Sequence, residues 1–326
     1  MYNLRDELFY LNTGLFYKYK SSLRNQVYFK GNIMKKIALA TLLAAASIVA
    51  SAQVTITGKV AEFIDNTKTG AVSKTSIAGE PTNNITVSAT ETLGGGLKAR
   101  VVLDTSLGAN SIDGGSTQLG DRQGTVGLAS SVGSIDLGRN VHSQFLAITN
   151  NDVFGTMYGS VAGDVHNLRG LRFSNGAFVT FTPAAGVTVS YDRTQGNTGS
   201  EAFSYAATGS IAGVNVTLAQ YEQGVEKSTV LGVNTKIAGT QVTYTHSNDK
   251  GAANSTGDLI GATRSFGPFT AKASYGRTNT SVTAYSAGVD YALSKRTDVG
   301  VAYRNVTASD AANNVAQLGV GVLHRF

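Results

Sequence analysis

Few residues of this chain are equipped for catalysis. Its four histidines, His142, His166, His246 and His324, are the side chains best suited to proton transfer or imidazole ligation near neutral pH. No pair of them falls at a His-Glu-x-x-His or similarly close metal-ligand spacing. There is no Cys, which removes thiolate nucleophiles, disulfides and thiolate metal sites. Neither a Gly-x-Ser-x-Gly nucleophile elbow nor a phosphate-binding loop occurs. The sequence therefore implies no enzyme, no cofactor and no metal. What it does carry is fixed charge on the polar face of alternating stretches: Lys98, Arg100, Asp104, Asp192, Lys272, Asp290, Asp298 and Arg304. Such groups solvate a wall. Where opposite signs face each other across a narrow aqueous gap, they also set up a transverse field.

The elements that carry these charges read as β-strands. In Val54-Thr55-Ile56-Thr57-Gly58-Lys59-Val60 apolar residues alternate with polar ones, and the pattern returns at Val187/Val189/Tyr191, Val214/Val216/Leu218 and Leu318/Val320/Val322. Short Gly-containing turns, such as Gly94-Gly95-Gly96 and Ala212-Gly213, alternate with longer polar connections at 65–82, 106–121, 142–168, 194–202, 248–257 and 306–315. Sixteen strands are expected, starting near Val54, Asn84, Leu97, Arg122, Ser134, Gly170, Val187, Phe203, Val214, Thr229, Gln241, Asp258, Phe269, Val282, Thr297 and Ala316. The even number and the strand lengths suit a membrane barrel. The polar faces are too rich in Thr, Ser, Lys, Arg and Asp to form a water-free core, and a sandwich of sixteen strands would leave open edges that closure removes. The expected fold is all-β: a 16-stranded antiparallel transmembrane β-barrel. Tyr191, Tyr205, Tyr244, Tyr275, Tyr285, Tyr291, Tyr303 and Phe326 lie on the outward parity and suit its interfacial girdles. The alternative, a secreted β-rich surface adhesin or solenoid with no channel activity, needs a fixed repeat period, and none is visible.

Charge sets a further limit. The formal net charge is +6, but residues 1–52 hold seven Lys/Arg against two acids, which leaves twenty basic and nineteen acidic residues in the rest. The body is close to neutral and offers no electrostatic case for nucleic acid. The leader reads as an export signal: Met34-Lys35-Lys36 is the basic segment, Ile37 to Val49 the apolar one, and Ala50-Ser51-Ala52 the cleavage site. Residues 1–33 are expected to be an upstream start extension, 34–52 a signal peptide and 53–326 the barrel.

The end of the chain, Gly319-Val320-Gly321-Val322-Leu323-His324-Arg325-Phe326, resembles the last strand of Gram-negative outer-membrane porins. Thr90-Glu91-Thr92-Leu93-Gly94-Gly95-Gly96-Leu97-Lys98-Ala99 is similar to the second periplasmic hairpin of the beta-proteobacterial type. Arg122 to Ala129 with Gly133 to Asn140 resembles the hairpin leading into that type's third loop. The resemblance runs from Gln53 to Phe326 and implies a trimeric, water-filled channel in the outer membrane of a Gram-negative bacterium. Small hydrophilic solutes and ions would cross it by passive diffusion. The implied partners are a second and third copy, outer-membrane lipid and lipopolysaccharide, and the barrel-assembly machinery that reads the terminal Phe326.

The same resemblance implies that residues 142–168 fold inward as the third loop and narrow the pore. The family's Pro-Glu-Phe-Gly-Gly signature is replaced by Asp152-Val153-Phe154-Gly155, so Asp152 and Asp164 are the acids expected at the constriction. Lys59, Arg122 and Arg172 are implied as its basic wall. Parity places Lys59 opposite Val54, Ile56 and Val60, and Arg172 opposite Leu171, Phe173, Val179 and Phe181, so both are expected in the lumen. Asn84 stands where the family has a wall arginine. Lys98 and Arg100 are further wall residues, and Arg139 shares the parity of Ile135 and Leu137. The balance of these groups implies a mild preference for anions.

Overall fold

The computed structural model describes residues 52–107, 118–195, 201–251 and 254–326. The expected start extension and signal peptide lie outside them, apart from Ala52. The barrel belongs to a compact unit made of Ala52–Glu91 and Gly95–Phe326. Its first strands are β1 (Gln53–Thr69), β2 (Val72–Gly79), β3 (Asn84–Gly94), β4 (Leu97–Ser106), β5 (Gln123–Ser130) and β6 (Gly133–Val141). Next come α1 (Ser143–Thr149) and α2 (Ala162–Val165), then β7 (Arg172–Ala184), β8 (Val187–Gln195), β9 (Glu201–Ile211) and β10 (Val214–Gln223). The remaining strands are β11 (Glu226–Ile237), β12 (Thr240–Lys250), β13 (Ser255–Phe266), β14 (Phe269–Thr278), β15 (Thr283–Ala292), β16 (Thr297–Thr307) and β17 (Val315–Arg325).

Seventeen strands among the described residues make sixteen staves, because β2 and β3 are two halves of one. β2 pairs with Glu62–Thr69 and β3 with Gln53–Lys59 of the same β1. At the break between them Asn83 replaces a strand amide: its Oδ1 accepts from the Ala61 N–H (2.8 Å) and its Nδ2 donates to the Ala61 carbonyl (3.0 Å). β17 then pairs antiparallel with β1, from Lys59↔Arg325 to Thr69↔Val315, and the sheet closes.

Burial is the reverse of that in a water-soluble domain. Val54, Ile56, Val126, Leu137, Val189, Leu218, Ile260 and Val320 are exposed, while Ser204, Ser228, Thr245 and Ser247 are fully buried. Each strand turns its dry face outward and its wet face in, as a bilayer demands.

Two expectations are corrected. The stretch 65–82 is not a polar loop, since β1 and β2 extend through it as a hairpin turned at Gly70–Ala71. Its two large apolar residues, Val72 and Ile77, are few and fall at opposite parities, which erases the period-two signal. On β7, the parity of Arg172 is broken by a register shift between Gly138 and Asn140 and by Asn175 at φ 52°. Val179 and Phe181 face outward as expected, but Phe173 turns inward and is buried. Arg172 takes the opposite face. One inserted residue exchanges the two faces of a strand.

Candidate functional site: the lumen and its inward loop

Residues 142–171 leave the wall after β6 and return to it at β7. His142 fastens the two ends of this loop together. Its Nδ1 accepts from the Phe145 N–H as the N-cap of α1 (3.3 Å), and its Nε2 donates to the Arg169 carbonyl (2.7 Å). Both ring nitrogens are thus committed in the neutral form. The ring is fully buried beside Phe173 (4.8 Å between centroids) and Tyr221 (5.2 Å). Burial lowers its pKa to about 4 against the pull of the Arg169 carbonyl.

From there the loop follows the inner wall. The buried face of α1 is Ser143, Gln144, Ala147 and Ile148, which leaves Phe145, Leu146 and Thr149 on its lumenal side. The Ser143 N–H donates to Asp192 on β8 (2.6 Å), the Gln144 N–H to Ser204 on β9 (2.9 Å), and Gln144 Nε2 to Ser228 on β11 (2.9 Å). Asn234 Nδ2 donates to Asn151 Oδ1 (3.0 Å). Further round, the wall admits the loop by having no side chain. A Cβ built on Gly257 would stand 2.1 Å from the Val165 carbonyl, and one on Gly232 2.2 Å from Asn151 Nδ2. A Cβ on Gly319 would stand 2.0 Å from the Tyr158 hydroxyl.

The loop's far end reaches the interrupted stave. Tyr158 stacks on Phe63 of β1 (centroids 4.0 Å apart, planes 6° apart), its N–H donates to Glu80 (2.9 Å), and its hydroxyl donates to Asp65. Lys59 Nζ donates to Met157 Sδ (2.8 Å). On the way back, Arg304 of β16 donates to the Ser160 carbonyl (2.9 Å) and pairs with Asp164 (3.4 Å). Burial raises the Asp164 pKa, and the Arg304 guanidinium offsets part of that rise. His166, buried and held by the Ser247 hydroxyl (2.8 Å), has its pKa lowered to about 4 by burial. Arg169 ends the loop between Glu226 and Asp249.

The opposite wall carries the charges. Asp104 accepts from Arg122 Nε (3.0 Å), Asn84 Nδ2 (2.6 Å) and the Thr86 hydroxyl (2.9 Å). Arg100 Nε donates to Asp136 (2.7 Å). Lys98 is exposed and has no ion pair among the described residues. Lys59, Asn84, Arg100 and Arg122 thus share the inward parity. Arg172 instead donates its Nε to the Arg122 carbonyl (2.7 Å). Arg139 bonds the Asp121 carbonyl (2.6 Å) and Ser174 on the outward side.

Asp152 does not face the pore. It is buried within the loop, accepting from the Phe154 N–H (3.0 Å), the Thr156 N–H (2.7 Å) and the Ser160 hydroxyl (2.6 Å). An Asx-type turn consumes its lone pairs. At the seam Phe326 exchanges backbone hydrogen bonds with Gly58 (3.0 Å each), and its ring lies where a Cβ on Gly58 would be.

The model of the Gram-negative porin family matches residues 38–311. The chain belongs to that family. It is an outer-membrane porin, and both family and fold are those of channels. No curated protein sequence matches it. Among solved structures the porin is similar to the anion-selective porin of Comamonas acidovorans (TM-score 0.71, 18% identity, 85% of this chain and 100% of that one). It is also similar to OmpF of Salmonella typhi in complex with daunomycin (0.67, 16%, 84% and 98%) and to the trimer form of OmpT of Vibrio cholerae (0.65, 12%, 85% and 100%). At these identities the likeness is one of fold.

Sequence reasoning passed over Glu80, Tyr158 and the wall glycines of this porin. The glycines left a signal. Gly257, Gly261, Gly276, Gly288, Gly319 and Gly321 all stand inside strands at inward positions, where no turn requires them.

Proposed function

We propose that the pore is a mildly anion-preferring homotrimeric channel whose constriction lies between loop residues 145–150 and the wall of Lys59, Asn84, Arg100 and Arg122. The withdrawal of acid from the loop carries the preference. Asp152 is consumed internally and Asp164 is paired to Arg304 on the loop's own wall, so the loop offers no free carboxylate opposite the bases. Asp104 and Asp136 neutralise Arg122 and Arg100, while Lys59 and Lys98 are in no ion pair among the described residues. The residual field is weakly positive and favours small anions at low salt. Reversal potentials across planar bilayers in a salt gradient test this, and a cation-selective or non-selective reversal would overturn it.

A second observation supports the trimer. From residue 64 to 144 the sequence holds no Phe, Tyr or Trp, and this run includes all of β2 to β6. Outward aromatics begin only at Phe181 and continue through Tyr191, Tyr205, Tyr244, Tyr275, Tyr285 and Tyr291. Lipid-facing barrel surfaces carry aromatic girdles at both interfaces. A sector with Val126, Leu128, Ile135 and Leu137 but no girdle suits burial against further copies of the chain. Leu137→Arg should give monomers on native gels, whereas Val189→Arg in the girdled sector should not. Phe326 fits the role of assembly signal, and Phe326→Ala should lower the yield of heat-modifiable barrel. Lipopolysaccharide and the assembly machinery are the partners that this setting supplies.

A further inference from the structure

Beneath the far end of the loop, on the side of the short turns, lies a small cavity of about 70 Å³. Its roof is aromatic, made of the stacked Phe63 and Tyr158 with Phe154 beside them. Its floor is Gly300 and Gly321, two inward positions without side chains. Its sides carry both signs of charge. Lys272 Nζ pairs with Asp290 (2.8 Å) and lies 5.7 Å from the Phe154 ring centre, and Arg325 pairs with Asp298. Glu80, 2% exposed, completes the lining with Met157 and Leu323.

We propose that this cavity is a transient binding site for small zwitterions bearing ammonium and carboxylate on one carbon, the class of the smallest free amino acids. The reading rests on the chain being a conducting porin and adds a solute preference to it. Each cation of the cavity already has an anion, so a singly charged solute gains one partner and meets a like charge beside it. A dipolar solute can satisfy both members of the Lys272–Asp290 pair at once, its carboxylate toward Lys272 and its ammonium toward Asp290. Size narrows the class further. At about 70 Å³ the cavity has room for a few water-sized groups, the scale of the smallest amino acids. Glycine has five non-hydrogen atoms and alanine six.

The test is single-channel current in planar bilayers with glycine or alanine added to the short-turn side. Acetate, methylammonium and glycerol serve as controls of matched size. Glycine and alanine should lower the open current saturably or add current noise, and the controls should not. Gly300→Val, whose side chain enters the floor, and Lys272→Gln together with Asp290→Asn should abolish the effect and leave salt conductance within about two-fold. A response shared by glycerol, a response that survives Gly300→Val, or no response to glycine in a conducting channel overturns the proposal. Loss of salt conductance in the unaltered protein would instead overturn the channel reading beneath it.

Discussion

From β11 to β17 the inward positions that receive the loop carry Gly232, Gly257, Gly261, Gly276, Gly288 and Gly319. From β3 to β6 the equivalent positions carry Asn84, Lys98, Arg100, Asp104 and Asp136. Both walls are built from strands of the same alternation, so the difference lies in what each must meet. A wall that receives a loop must vacate the space of its own Cβ atoms and offer small hydroxyls, such as Ser204, Ser228 and Ser247, to the loop's donors and acceptors. A wall that receives water keeps long charged side chains and settles them in cross-strand pairs. The constriction is the gap between a wall emptied of side chains and one that is full of them.

The largest effect is expected where the emptied wall is filled. Gly257→Val drives a side chain against the Val165 carbonyl, which is backbone and cannot turn aside. Overpacking of this kind costs about 1–3 kcal/mol and occasionally more, and with backbone in the way the loop should leave its seat. Single-channel conductance should rise and residues 142–171 should become sensitive to protease. Unchanged conductance would mean that the loop does not set the pore width.

Acid should loosen the same wall without mutation. His142 and His166 have their pKa lowered from 6.5 to about 4 when the loop is docked, so the docked state binds fewer protons than the undocked one. Docking is therefore complete above about pH 6.5 and weakens as pH falls toward 4, by at most about 3 kcal/mol for each histidine. Conductance that rises or becomes noisy between pH 6 and 4, and a smaller response in His166→Gln, would sharpen the comparison. A flat profile over that range would break it.

Charge reversals probe the other wall and should act more gently. Arg122→Glu sets a carboxylate beside Asp104 and should move the reversal potential toward cations, most at low ionic strength. Arg172→Glu should move it less, because Arg172 lies on the opposite face of β7. Equal shifts would return Arg172 to the lumen. Lys98→Gln, at the exposed start of β4, should give the smallest shift of the three.

Much of this was legible beforehand, and the reasons for the rest are physical. Strand starts at Asn84, Leu97, Val187, Val214, Phe269 and Thr297 coincide with the observed ones, because each follows a turn or loop and opens a run with one dry face. The β2 hairpin is hidden because its few large apolar residues, Val72 and Ile77, stand at opposite parities and leave no alternation to read. Arg172 was misplaced because a bulge changes parity without altering the pattern on either side of it. Asp152 and Asp164 are expected at the constriction from sequence alone because a sequence shows that a carboxylate is present and not which donors claim it. Glu80 lay in a Pro-containing stretch that reads as a turn, and only closure of the barrel brings it to Tyr158, 78 residues further along the chain.

The seam between β17 and β1 governs the order in which the molecule can come into being. Gly58 and Phe326 stand at nearly opposite ends of the folded chain, yet their paired backbones complete the ring. Every other stave meets its neighbour through a short connection or one loop, so this contact closes the longest path and carries the heaviest entropic delay. Until it forms, β1 and β17 both present unpaired edges ready to join another chain. A chain in that state is open to edge-to-edge association until the seam forms. A chain that stops short of β17 would remain an open sheet with no partner for its first strand.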